Sequence, residues 1–163
     1  AASDVYKRQV LNLGFNQLSD ASLLANLTNL KVLSVSNNQL TDVSGLANLT
    51  NLIELNLNYN LITNLNGLAN ANLPKLEDLS LIGNQLNDLK GLARIIQQPE
   101  LTYLRLWNNL ITDLSLLANV DLSNLAWLDL NNNQISDISP IVGNKGISGT
   151  IKLNLKKNKI RDI

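Results

Sequence analysis

Leucine and isoleucine recur along this chain at intervals of 22 to 25 residues, always in the same local pattern. Seven frames open at Arg8, Leu30, Leu52, Leu76, Leu101, Leu125 and Thr150. Three and five residues on, each has an apolar pair: Leu11/Leu13, Leu33/Val35, Leu55/Leu57, Leu79/Leu81, Leu104/Leu106, Leu128/Leu130 and Leu153/Leu155. Side chains alternate along a strand, so an L-x-L pair sends both leucines to one face and predicts a short, half-buried strand. One such unit cannot bury its own leucines. Stacking seven coils does, giving a parallel sheet with about 4.8 Å between neighbouring strands and one continuous core.

The polar side of the pattern is as regular. An asparagine follows every strand: Asn16, Asn38, Asn60, Asn84, Asn109, Asn133 and Asn158. Two residues later comes another apolar position: Leu18, Leu40, Ile62, Leu86, Ile111, Ile135 and Ile160. An amide has both donors and an acceptor, so an Asn where the chain turns inward satisfies backbone groups freed by that turn and by the next coil. A buried backbone group left unpaired costs about 1–3 kcal/mol, which gives these residues a structural role. After the apolar position comes D-[VIL]-S-x-L-A-N-L, clearest at Asp42-Val43-Ser44-Gly45-Leu46-Ala47-Asn48-Leu49. Asp and Ser start helices well, and the leucines give a short amphipathic turn. Short 3-10 or α turns are therefore expected on the convex side. The extra residues of the longer coils, at Asn70-Ala71, Ile95-Ile96-Gln97, Val120-Asp121 and Asn144-Lys145-Gly146, all fall there. So do Pro74, Pro99 and Pro140, where a missing N–H costs the sheet nothing. The strands should stay in register.

The line Leu125-x-x-Leu128-x-Leu130-x-x-Asn133-x-Ile135 is the leucine-rich-repeat pattern. The 22-residue form, with Leu49-Thr50-Asn51-Leu52 joining coils and Asp42-Val43-Ser44 or Asp137-Ile138-Ser139 after the Asn, resembles the internalin type of bacterial surface leucine-rich repeat. The resemblance covers the chain from Val10 on. It implies an α/β solenoid: a right-handed coil with a parallel concave sheet. It also implies a secreted or cell-surface bacterial protein that binds other proteins with its concave face. An intracellular scaffold akin to the phosphatase-regulating leucine-rich repeats is the alternative, and a glycan-binding module a third.

Composition narrows the chemistry. Of the 163 residues 16% are charged, below the usual quarter, and net charge is zero, so global electrostatics selects no partner. There is no Cys, Met or His, hence no disulfide framework, no thiol nucleophile and no histidine base or metal ligand. No apolar run approaches the roughly 18–20 residues needed to span a bilayer. Residues 1–9 resemble the in-frame translation of a sequencing adaptor, so the natural chain is expected to enter at Val10. Residues 10–163 then form one domain of about seven coils, uncapped at both ends.

Candidate chemistry divides between the two faces. Asp20, Asp42, Asp88, Asp113, Asp137 and Asp162 recur at one position, with Asn64 in the third coil. A cation-binding column is one reading. Capping of the convex turns is the other, and Asn64 suits it better. A glycosidase pair built from Glu54, Glu77 or Asp78 would need a pocket that raises a pKa. The neighbours Asn56, Asn58 and Ser80 are small and polar, and no enzyme activity, cofactor or metal is expected. The basic cluster Lys152, Lys156, Lys157, Lys159 and Arg161 has no interleaved aromatics. It reads as a solvated edge rather than a nucleic-acid site. The outward strand positions remain. Tyr103, Arg105 and Trp107 share one face of the fifth strand and its extension, beside Trp127 and Asp129 on the sixth. This grouping of Trp, Tyr and Arg has the composition of an interface hot spot. Stacking should put Tyr103 beside Trp127 and pair Arg105 with Asp129. Glu54, Asp78 and Tyr59 complete the expected site, with a protein ligand as partner. Nucleic acid, membrane insertion and a small-molecule substrate are not expected.

Overall fold

The computed structural model describes residues 9–147 and 151–161. Seven three-residue strands form one parallel sheet in chain order. They are β1 (Val10–Asn12), β2 (Val32–Ser34), β3 (Glu54–Asn56), β4 (Asp78–Ser80), β5 (Tyr103–Arg105), β6 (Trp127–Asp129) and β7 (Lys152–Asn154). Register holds throughout, with Leu11, Leu33, Leu55, Leu79, Leu104, Leu128 and Leu153 aligned across the sheet. The convex insertions do not disturb it. Each adds its length away from the strands: Ile95 and Ile96 end a single turn of α-helix, α1 (Ala93–Ile96), and the insertion at Asn144 leads into a 3-10 turn (Lys145–Ile147) after a second α turn, α2 (Ser139–Val142). Pro140 lies in the first turn of α2, where no intrahelical N–H is needed.

The core runs along the axis between the sheet and the convex turns. Leu55, Leu79 and Leu104 are essentially inaccessible, whereas Leu11 and Leu153 in the outer strands are only partly buried. The convex side is mainly 3-10 turns, such as Ser44–Leu46 and Asn66–Leu68. These turns stack closely enough that a Cβ on Gly91 would collide with the carbonyl of Leu65 in the preceding coil.

The Asn ladder holds the coils together, but it reaches backwards. Nδ2 of Asn109 donates to Leu106 O in its own coil at 3.1 Å and to Leu81 O in the preceding one at 2.9 Å. Its Oδ1 accepts the N–H of Leu86, also in the preceding coil, at 3.1 Å. Asn38, Asn60, Asn84, Asn133 and Asn158 repeat the arrangement. The expectation that each Asn serves the following coil is thereby corrected. The turn delivers the amide beneath the preceding strand, where Leu81 O, already held by Asn84 Nδ2 at 3.1 Å, accepts a second hydrogen bond. Just before the ladder residue the backbone is left-handed in every coil, at Phe15, Asn37, Tyr59, Gly83, Asn108, Asn132 and Lys157.

The recurrent acids are turn-makers. Asp20, Asp42, Asp88, Asp113 and Asp137 each accept the backbone N–H two residues on, at 2.7–3.0 Å, and Asn64 does the same at 3.1 Å. They stand one residue before the N-cap and feed the chain into the convex turn. Hydrogen bonds from Ser22 to Asp20 and from Ser44 to Asp42, through hydroxyl and backbone N–H, hold both carboxyls below the ordinary value of 3.8. Asp162 lies outside the described residues, and no helix among those residues is long and apolar enough to cross a membrane.

The concave face as candidate interaction site

Because side chains alternate, each strand sends its middle leucine inward and its first and third residues outward. Three outward columns result, each running along the solenoid axis. The first reads Val10, Val32, Glu54, Asp78, Tyr103, Trp127, Lys152, as the strand pairing aligns them. The second reads Asn12, Ser34, Asn56, Ser80, Arg105, Asp129, Asn154. The third, just past the strands, includes Asn58, Ile82, Trp107, Asn131 and Lys156.

The expected aromatic pair forms. Tyr103 and Trp127 are register partners on adjacent strands, with 39% and 36% of their surface exposed. Trp107 is half-buried at the end of β5. Two cations lie on these rings. The Arg105 guanidinium is 5.3 Å from the Tyr103 centroid, and the Lys152 ammonium is 5.4 Å from that of Trp127. Both distances are within the range where a cation is drawn to the ring face.

The expected Arg105–Asp129 ion pair does not form. Arg105 instead reaches diagonally to Asp78 on β4, through both carboxylate oxygens. The reason lies in Asp129, which is 9% exposed and whose Oδ1 accepts the backbone N–H of Asn131 at 3.0 Å. Asn12, Asn56 and Asn154 make the same local bond to the residue two places on. Asp129 thus belongs to a turn-forming column that sequence reasoning missed, although an acid or amide at four of seven equivalent positions was a usable signal.

Around Asp78 the surface dips. A basin of about 370 Å³ is lined by Val32, Glu54, Asp78, Ile82 and Arg105, with Ser34, Asn56 and Ser80 as its floor. Glu54 and Asp78 are neighbours across β3 and β4. Tyr59 is not part of this basin. It sits in the left-handed turn after β3, 45% exposed, and its ring lies over Gly83, where any Cβ would strike it. It therefore flanks the site at the edge of the sheet. Asn131 in the third column is half-buried, and its Oδ1 is covered without a hydrogen-bond partner.

This surface holds no histidine or cysteine. Its groups are aromatic faces, paired charges and one exposed acid, chemistry suited to holding a partner by contact.

Comparison with known proteins matches a family model described as leucine-rich repeats (two copies) at residues 9–48, and a second leucine-rich-repeat model at residues 99–143. No curated protein matches. Among solved structures, an internalin of Listeria monocytogenes superimposes with a TM-score of 0.77 at 37% identity, over 94% of this chain and 43% of that one. Internalin C2 of the same organism gives 0.75 at 37% identity, over 91% of this chain and 62% of that one. The ectodomain of a plant receptor kinase from Arabidopsis thaliana, solved in complex with Casparian strip integrity factor 2, gives 0.71 at 27% identity, over 93% and 19%. This chain thus spans less than two thirds of the length of each. Repeat pattern, Asn ladder, sheet and structural matches agree: the chain belongs to the leucine-rich-repeat proteins and is internalin-like.

Proposed function

We propose that this chain is a protein-recognition module that binds its partner with the concave face, in a secreted or cell-surface setting. The observation that carries the reading is the adjacent Tyr103 and Trp127 pair, exposed on the rigid sheet and flanked by Arg105, Trp107 and Lys152. Large aromatics and arginine grouped on a preformed surface are what hot spots are made of, because they bury much area for little lost freedom. The setting is supported by the company of internalins and a receptor ectodomain, the latter solved with a bound factor. An intracellular scaffold has no comparable observation in its favour.

The test is to replace Trp107 and Trp127 by Ala, separately, and measure capture of candidate protein ligands, with circular dichroism melts as control. Each change should weaken capture by about 2 kcal/mol or more if it removes a hot-spot residue. The melts should barely move, since both rings project from the sheet rather than into the core. Normal capture by both variants places the site elsewhere. Loss of folding shows that the rings are packing.

A further inference from the structure

The concave face carries its charges in order. Glu54, which is exposed, and Asp78, which is half-buried and held by Arg105, stand on β3 and β4, while the exposed Lys152, over the Trp127 ring, and Lys156 stand on β7 and just past it. Between them lie the Tyr103 and Trp127 rings and Arg105, which is spent on Asp78. The chain has no net charge, yet along the solenoid axis this face passes from aliphatic Val10 and Val32 through acidic and aromatic strands to a basic end.

Several charges elsewhere have local work. The convex aspartates hold turn N–H groups, Lys90 stands 3.8 Å from Asp88, and Lys159 donates to Gln134 at 3.1 Å. Glu54, by contrast, is exposed and makes no ion pair or hydrogen bond among the described residues, and it lines the basin around Asp78. That basin offers Val32 and Ile82 to an alkyl stem and Glu54 to its charged head. This is how a lysine or arginine buries its stem while its charge stays paired.

Resting on the concave-face reading above, we infer that the partner presents an extended segment with its charges segregated. A basic side chain enters the basin at Glu54, an apolar one lies on Tyr103 and Trp127, and an acidic one meets Lys152 and Lys156. Geometry sets the spacing. From β3 to β7 is four strand steps of about 4.8 Å, or about 19 Å. An extended chain advances about 3.3 Å per residue, so the basic and acidic groups stand about six residues apart with the apolar one between. A segment with mixed charges cannot satisfy both ends of the face, and misplaced like charges are penalised.

The experiment is selection of displayed random dodecapeptides on the immobilised full chain, repeated on the Glu54→Lys/Lys152→Glu double variant and on Trp127→Ala. All three substituted residues are exposed, and circular dichroism checks that the variants fold. Expected are peptides with basic, apolar and acidic residues in that order or its reverse, near the six-residue spacing. They should bind the charge-swapped variant at least about tenfold more weakly. The swapped chain in turn should select the opposite charge placement relative to Trp127. Peptides that need Trp127 but show no charge order, or bind the swapped variant equally, overturn the segregated-charge inference and leave concave-face recognition standing. Peptides indifferent to both changes overturn the two together. A selection that enriches nothing, beside a control scaffold that does, overturns the extended-segment form.

Discussion

Asn109 shows what one residue does in this fold. Its amide bonds to four backbone groups, two of them in the preceding coil, at a buried position. Asn109→Ala should cost about 1–3 kcal/mol in urea melts, because the Leu86 N–H loses its partner and the Leu81 carbonyl keeps only its bond from Asn84. Among the described residues Asn16 bonds only to Leu13 and Gly14 of its own coil, and its replacement should cost less. Asn48, exposed on a convex turn, should cost within about 0.5 kcal/mol on replacement. Equal losses at all three would contradict the ladder. The aspartates give a second residue-scale test. In Asp113, Asp121 and Asp137 the backbone N–H of Ser115, Ser123 and Ser139, and then each hydroxyl, lower the carboxyl pKa, as serines do for Asp20 and Asp42. A folded-state pKa below the unfolded one adds stability that is complete above the unfolded value and is lost as pH falls through the folded value. Stability should therefore be level at neutral pH and decline on acidification from about the ordinary 3.8 downward. Replacing these five aspartates by Asn, which performs the same task at Asn64, should flatten that acid limb. A limb unchanged by the five substitutions would place its origin elsewhere.

At the scale of the element, the strands were the most legible feature, since the L-x-L pair and the following Asn fix both face and register. The convex turns were legible in kind and position, because Asp, Ser and Leu recur there. Whether an insertion forms an α turn, as at Ala93–Ile96, or remains open, as around Asn70, depends on neighbouring coils and is not written in one segment. The aromatic pair on β5 and β6 followed from the same alternation. The partner of Arg105 did not. Two carboxylates lay within reach, and the choice was made by Asp129 bonding its own backbone, a local competition that strand alternation does not encode. Tyr59, expected at the site, has left-handed backbone and stands outside the basin. Stacking also sets a gradient of stability, because each coil touches only its neighbours. Amide hydrogen exchange should be slowest in β4 and β5, around Leu79 and Leu104, and faster in β1 and β7, whose leucines are only partly buried. Uniform exchange across the seven strands would mean that the sheet opens as a single unit.

The molecule as a whole separates its two tasks by face. Inward and convex positions carry leucines, the Asn ladder and turn-making aspartates, and these keep the coils in register. The third outward position of four strands still serves the turns, through Asn12, Asn56, Asp129 and Asn154, whereas the first passes along the axis from aliphatic through acidic and aromatic to basic. On the proposed reading, recognition is written on a surface whose shape is set independently of it, the general habit of scaffold folds. The chain supplies its own reporter, since both of its tryptophans, Trp107 and Trp127, belong to that surface. The most direct measurement is intrinsic tryptophan emission during titration with a tryptophan-free partner or selected peptide, followed in parallel by anisotropy of a label on the ligand. Binding on the concave face predicts an emission change that saturates with the anisotropy and shrinks in Trp127→Ala. Saturating anisotropy with emission unchanged would contradict the account, because the partner would then be bound away from the face that carries both rings.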